Sequence, residues 1–534
     1  MNFQTYPFPS QRMPLFAANG VVATSQPLAA QAGLSMLQRG GNAVDAALAA
    51  AVALTVVEPT SNGIGGDAFA LVWDGTRLHG LNASGRAPAA LRAEAIRAQG
   101  YTQMPEDGWL PVTVPGAPAA WGDLHERFGR LPLEEIMAPA ITYAGEGYGV
   151  TPIVAHNWQL AAEYYRTLPD SIFASWLETF TRGGRAPRAG ERWLSQAHAQ
   201  TLRALVERGV RDFYEGELAA KIVQFARATG GLLTADDLAG HQSRWVEPIK
   251  TGYRGYEVWE IPPNGQGLAA LLALALLEGT DLPTHPHGST ASLHLQIEAM
   301  KLAFADAQRY IADPEQVTVP VAGLLDPAYL AARRALIGPR ARLPEPGEPF
   351  RGGTVYLCAA DRDGMMVSYI QSNYGGFGSG LVVPGTGIAL HNRGACFTLE
   401  PGHPNEAAGG HRPFHTIIPA FLTRGGQPVG PFGVMGGHMQ PQGHTQVVVG
   451  TVDYGLNPQA ALDAPRWRWA SGLEVGFELD TPEHVLQALA ARGHRVQIGL
   501  DRADFGRGQI IWRLDEGVYV AGSDKRSDGA AVGW

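Results

Sequence analysis

The sequence predicts an α+β fold with a core large enough for several domains or for one large layered unit. Three patterns carry this expectation. The run AVDAALAAAVALTVV over 43–57 reads as a buried helix, and the stretch from Pro118 to Gly240 sets apolar residues mainly at helical spacing. Strand pairs pivot on Asp74-Gly75 and Asp363-Gly364, and short strands with turns dominate the C-terminal third. Composition agrees: 45% of the 534 residues are apolar and 17% charged, a globular profile.

In chain order, Asn42 suits the N-cap of the first buried helix, and Glu58-Pro59 ends it. The turn-rich TSNGIGGD then leads into FALVWDGTRLHGL, which reads as a hairpin. EEIMAPAITYAGEG and SQAHAQTLRALVERG represent the helical block, and STASLHLQIEAMKLAFADAQRYIADP forms a second one that closes at Asp313-Pro314. From Asp326 to Phe350 Arg, Pro and Gly accumulate, as in an exposed connection. TVYLCAADRDGMMVSYIQSN follows and alternates as two paired strands. No internal repeat appears, which excludes solenoids.

The net charge of -9 carries no basic stripe, so nucleic acid is not an expected partner. Cys358 and Cys396 are too few for a disulfide framework and fit a reducing compartment. The first residues show no charged region followed by an apolar one, and 43–57 falls short of the roughly 20 residues a bilayer span needs. A soluble, cytoplasmic protein without membrane contact is expected.

Two other site classes have partial signals in the sequence. Gly63-Ile64-Gly65-Gly66-Asp67-Ala68 has the spacing of a dinucleotide fingerprint, but it follows a helix and opens a strand, the reverse of the required context. His391, His403, His411, His415, His438 and His444 lie close in sequence, yet Pro413 forbids helical spacing of His411 and His415. Neither a metal nor a cofactor is expected.

Thr354 follows Gly352-Gly353 and begins a strand. A Thr hydroxyl is a weak nucleophile, but a chain-terminal Thr carries its own base, an α-amine with a reference pKa of about 7.7–8.0. Scission between Gly353 and Thr354 creates that amine. Gly353 also lets the hydroxyl approach the preceding carbonyl in a backbone conformation that a Cβ hinders.

From Gly20 onward the chain resembles the γ-glutamyltransferase family of N-terminal-nucleophile hydrolases, through GGNAVDAALA, EPTSNGIGGDAF, NASGRAP, VPGAPAAW, GLLTADDL, FADAQRYIADP, FGSGLVVPGTGIALHN, VMGGHMQP, DYGLNPQAALDAPRW and AGSDKRSDGAA. The resemblance implies a four-layer αββα fold, one large domain made of two processed chains. These are a large chain, 1–353, and a small chain, 354–534, that begins with the catalytic Thr354. It further implies an oxyanion hole at Gly436-Gly437, and Ser372 as the hydroxyl that orients the nucleophile. Adjacent glycines let backbone N–H groups face a developing oxyanion, an interaction whose loss costs about 2.7–4 kcal/mol. The two chains are expected to stay intertwined, and a homodimer of such heterodimers is the assembly to test. A catalytically dead binding relative is the alternative of another class.

The acyl pocket departs from the family. The carboxylate-binding Arg of the family falls at Ser84, with Arg86 displaced two positions. The Gln and Asp that receive the substrate ammonium are replaced by Arg393 and Cys396, and a pair of serines by His415-Thr416. Expected substrate-binding residues are therefore Ser84, Arg86, Asn373, Tyr374, Arg393, His415, Thr416 and His438. A small acidic amide is the expected substrate: γ-glutamyl, or an amine-free relative such as oxamate or a glutaryl amide of the kind cephalosporin acylases take. Whether water or an acceptor amine takes the acyl group stays open. Positions facing solvent or a subunit contact are the rival reading for Arg393 and His415.

Overall fold

The computed structural model describes residues 12–168, 171–343 and 353–534. Two seven-stranded antiparallel sheets form its centre. The first runs in the order Ala530–Gly533, Gly20–Thr24, Gly353–Asp361, Met366–Tyr374, Asp67–Trp73, Leu78–Asn82 and Arg244–Val246. The second runs Leu15–Ala17, Tyr519–Ser523, Arg507–Arg513, Gln427–Met435, Ala420–Arg424, Tyr256–Glu260 and Ile249–Tyr253.

The sheets face each other where Gly353–Asp361 packs on Gln427–Met435 and Arg507–Arg513. Helices Pro27–Gln38 and Ala43–Val57 cover the outer face of the first sheet; Gly267–Glu278 and Met439–Val452 cover that of the second. This is the αββα layering. Among the described residues no helix is long and apolar enough to cross a membrane.

The small residues of Ala43–Val57 let that helix settle deep between sheet and outer helices, and all fifteen are buried. Its start is fixed by a capping box: Asn42 Oδ1 accepts from Val44 N and Asp45 N, while Asp45 Oδ2 accepts from Asn42 N at 2.9 Å. Asp361, at the far end of the Thr354 strand, also accepts from Ala43 N at 2.9 Å.

The hairpin at 353–374 corrects one detail of the sequence reading. Val355 through Ala360 and all of Met366–Tyr374 are buried, so apparent alternation does not mark an outer face. A strand between a helix layer and a second sheet meets apolar surface on both sides. The Asp326–Phe350 connection is corrected too: Pro327–Arg334 is a helix capped by Asp326, and Arg334 donates to the carbonyls of Leu276 and Ala275. Residues 344–352 of that connection lie outside the described residues.

Both sheets pair strands from either side of the Gly353–Thr354 bond. Gly353–Asp361 and Met366–Tyr374 sit between Gly20–Thr24 and Asp67–Trp73. Two segments joined by ladders on both flanks do not separate without breaking the sheet.

Candidate active site

Thr354 stands at a bulge. Gly353 opposes Tyr374 but Val355 opposes Gln371, so the register slips across Thr354; such a slip re-aims one side chain. Thr354 Oγ1 lies 3.1 Å from Ser372 Oγ, and Gln440 Nε2 donates toward it from 3.5 Å. Ser372 Oγ is itself fixed by accepting the N–H of Tyr374 at 2.8 Å. Gln440 is held from its other end, where Oε1 accepts from Ile418 N at 2.9 Å. A threonine so placed needs a base for its proton, and a free α-amine at Thr354 supplies one.

Gly436 and Gly437 lie between the strand Gln427–Met435 and the helix Met439–Val452. Their φ values of +132° and +60° belong to the region that favours glycine. Gln266 Nε2 donates to Gly437 O at 2.9 Å and to Thr416 O at 2.5 Å, tying this loop to the 413–416 segment. The glycines thus place backbone at the positive end of a helix, beside a cavity of about 430 Å³ that Thr354 and Gly436 both line. Glu106, Asp107, Asp504 and Arg507 line the same cavity. Behind it Glu58 is buried, 3.5 Å from Arg507 Nη1 and 2.5 Å from the Ser25 hydroxyl. Burial pushes the Glu58 carboxyl up to about 7, against the opposing pull of Arg507 and Ser25.

A second cluster gathers on Asp67, at the start of its strand. His415 Nε2 lies 2.9 Å from Asp67 Oδ2, His391 Nδ1 at 3.4 Å and Arg393 Nε at 3.9 Å, and all four side chains are fully buried. Burial acts to raise the Asp67 carboxyl, but the charge and hydrogen bond of His391, then those of His415, outweigh it and hold Asp67 well below the ordinary carboxylate range. Burial, and then the Arg393 cation, push His415 down to about 3, so a neutral imidazole faces an ionised carboxylate. Arg393 Nη1 donates to Thr416 Oγ1 at 2.7 Å, and its guanidinium carbon lies 4.8 Å from the centroid of the Tyr374 ring. Its Nε and Nη2 make no hydrogen bond among the described residues. That pair of N–H groups is the edge with which arginine grips a carboxylate side-on.

The Thr354 hairpin, the glycine pair and the buried Arg393 cluster thus stand on one αββα frame. The family model described as Gamma-glutamyltranspeptidase matches residues 29–534. The chain belongs to the gamma-glutamyltranspeptidase family. A cephalosporin acylase from Bacillus halodurans, solved by crystallography, is 56% identical with a TM-score of 0.96, over 99% of this chain and 98% of that one. The glutathione hydrolase-like YwrD proenzyme of Bacillus subtilis is 36% identical over 96% of this chain and 98% of its own length. The oxamate amidohydrolase proenzyme of Klebsiella pneumoniae is 34% identical over 97% and 99%. The protein is accordingly an amidohydrolase of the N-terminal-nucleophile class.

The structure brings Thr354, Ser372, Gly436 and Gly437 together, and joins Arg393, His415 and Thr416 around Asp67. Arg393 and His415 have no exposed surface, which rules out the solvent-facing reading. Ser84 is buried, bonded to Asn82 and Asn264; Asn264 O accepts from His415 N at 2.8 Å, so Ser84 supports the cluster from behind. Arg86 is not brought in. Its guanidinium is held by Glu315, Asp313 and the Gly410 carbonyl, beside a small separate pocket. Asp313 and Glu315 hold the Arg86 charge away from the Asp67 cluster, which explains the correction.

Asn373 is buried with neither side-chain polar atom bonded among the described residues, and Tyr374 takes a positive φ of 74°. His438 stacks on Phe414 with centroids 5.7 Å apart, and burial lowers it to about 4. His438, Tyr374 and Cys396 line a second cavity of about 600 Å³, with Arg393 beneath the Tyr374 ring. Among the described residues, none of the six clustered histidines joins a three-ligand group. The sequence reading did not single out Asp67 as a site residue and missed His391 as an Asp67 partner, along with Gln266, Gln440, Glu58 and Arg507. Asp67 had one signal, its place at the end of TSNGIGGD, a stretch read as a turn, as part of the family resemblance and as a failed dinucleotide motif, but not as a source of a site carboxylate.

Proposed function

We propose that the chain is a self-processing amide hydrolase whose nucleophile is Thr354, and that it acts on amides of small acidic acyl groups lacking an α-amine. The observation that carries this reading is the buried Arg393, with its Nε–Nη2 edge free of hydrogen bonds. A carboxylate on the acyl group satisfies that edge, whereas an ammonium placed there meets a like charge in a low dielectric. The Oδ2 of Asp67, the acid beside Arg393, is already engaged by His415, His391 and Arg393 itself. The oxamate amidohydrolase name of one relative supports the same class of acyl group.

After scission at Gly353–Thr354, the α-amine takes the Thr354 hydroxyl proton as Oγ1 attacks the amide carbon. Gly436 and Gly437 N–H groups receive the oxyanion. The amine returns its proton to the departing nitrogen, leaving an acyl ester on Thr354. Water activated by the same amine then releases the acid and restores the hydroxyl; an acceptor amine completes transfer instead.

A panel of γ-glutamyl, glutaryl, succinyl and oxalyl amides tests the reading. An amine-free member is expected to exceed the γ-glutamyl amide in kcat/KM by about a hundred-fold or more, equivalent to roughly 2.7 kcal/mol. Equal or faster cleavage of the γ-glutamyl amide defeats it.

A further inference from the structure

Away from the nucleophile, His294 and Glu298 occupy successive turns of the helix Thr290–Tyr310 and meet His494, which follows the helix Glu483–Ala491. All three are buried, and one ligand atom from each lies within 4.8 Å of the others. His294 Nδ1 stands 2.8 Å from His494 Nε2, and His494 Nε2 stands 4.0 Å from Glu298 Oε1. Two ligands on one tetrahedral ion, each at about 2.0–2.1 Å, stand roughly 3.3 Å apart, a spacing that these distances bracket.

Hydrogen bonding fixes one ring. His294 Nε2 lies 2.8 Å from Gly338 O, an acceptor, so this nitrogen carries the proton. In the neutral ring the lone pair is then on Nδ1, turned inward at His494. A ring N–H donated outward to a backbone carbonyl is also the outer contact that metal-bound histidines make. His494 Nδ1, though buried, has no partner among the described residues. With Nε2 donating to His294 Nδ1, that nitrogen holds a lone pair and is free to take the proton that an ion displaces from Nε2. Nothing in the amide-cleaving chemistry uses these residues.

We propose that His294, Glu298 and His494 form a binding site for a divalent transition ion of the zinc class. The ion takes His294 Nδ1, His494 Nε2 and a Glu298 oxygen. His494 moves its ring proton from Nε2 to Nδ1, so the imidazoles release none. Lys301, now 2.7 Å from Glu298 Oε1, retains its contact to Arg342 O at 3.2 Å. Gly338 and Arg342 belong to the last described stretch before 344–352, and Arg342 N also donates to Glu298 Oε2 at 3.2 Å. If the chain is cut at Gly353–Thr354, two ligands come from the large chain and one from the small. The ion then bridges the helix Thr290–Tyr310 of the large chain to the small chain.

The test uses the full-length, tag-free protein, stripped with a chelator and titrated with Zn²⁺ by calorimetry and with Co²⁺ by visible absorption. One equivalent per chain is expected, with the Co²⁺ absorption that marks low coordination number. His494→Ala and Glu298→Gln should each weaken Zn²⁺ binding by about a hundred-fold or more while amide cleavage persists. Wild-type protein that takes up less than about 0.2 equivalents at micromolar Zn²⁺ overturns the proposal. So does undiminished binding by His494→Ala. Should either variant fail to fold, the wild-type stoichiometry and Co²⁺ spectrum decide alone.

Discussion

Replacing Arg393 with Gln isolates the proposed determinant of acyl specificity. Two charge-assisted hydrogen bonds from the Nε–Nη2 edge to a substrate carboxylate contribute about 1.5–3 kcal/mol each. Their loss amounts to about 3–6 kcal/mol, or roughly 10²–10⁴-fold in kcat/KM. Because the carboxylate stands away from the scissile bond, it is bound alike in ground and transition states, so the loss is expected mainly in KM. Neutral butyryl amides never use the edge and should change less than about fivefold. The assay compares glutaryl and butyryl amides on wild type and Arg393→Gln. A denaturing gel confirms that both proteins still split, since the variant also loses the bond to Thr416 and leaves Asp67 without its cation. Equal losses on the two amides would refute the reasoning, because they would report a damaged site and not a lost carboxylate receptor. No loss on either would refute it as well.

Thr354→Ala is expected to remain one 56.9 kDa chain on a denaturing gel and to show no amide cleavage, whereas wild type resolves into two unequal chains. An alanine variant that still splits removes Thr354 from the scission step. Ser372→Ala deletes the hydroxyl 3.1 Å from Thr354 Oγ1, and a loss of about 1–1.5 kcal/mol should slow acylation roughly 5–15-fold in single-turnover kinetics. Unchanged kinetics would assign Ser372 to packing alone. Glu58, raised from 4.5 to about 7, holds its proton in the folded state at pH values where the unfolded chain has released it. The folded state then binds more protons, so stability falls as pH rises from about 4.5 to about 7, by up to about 3 kcal/mol. Urea midpoints measured at pH 5 and pH 7.5 should therefore differ less in Glu58→Gln than in wild type; an identical difference contradicts the shift.

Local sequence was legible wherever one residue decides local structure. Asn42 capped its helix, Asp74-Gly75 and Asp363-Gly364 turned their hairpins, and Gly436-Gly437 adopted the backbone that only glycine takes readily. The Asp67 cluster was not legible, because its other members lie 324–349 residues from Asp67 and meet it through the pairing of Asp67–Trp73 with Met366–Tyr374. Arg86 shows the converse. Its spacing from the family position suggested the pocket, yet Asp313 and Glu315 compete for its charge from a segment no local pattern links to it. Gln440 and Gln266 were invisible for a similar reason, since an amide's value depends on what stands opposite both its ends.

The division of labour in the site follows from where each group is anchored. Thr354 and Ser372 sit on adjacent inner strands, gripped by a helix layer on one face and the second sheet on the other. Any change there disturbs two packed interfaces at once, so the machinery proposed for scission and acyl transfer has little room to vary. Arg393, Cys396, His415 and Thr416 instead lie on the short helical turn Arg393–Cys396 and the irregular 413–416 segment. Those segments are bound to the frame by side-chain contacts such as Gln266 to Thr416 O and His415 to Asp67. Exchanging their side chains alters charge in the proposed acyl pocket without shifting the strand that carries Thr354. An architecture of this kind lets the acyl group change while the order of covalent steps stays the same. It also predicts that substitutions confined to 393–396 and 415–416 redirect substrate choice in proteins that still cut themselves, whereas substitutions along 366–374 impair both together.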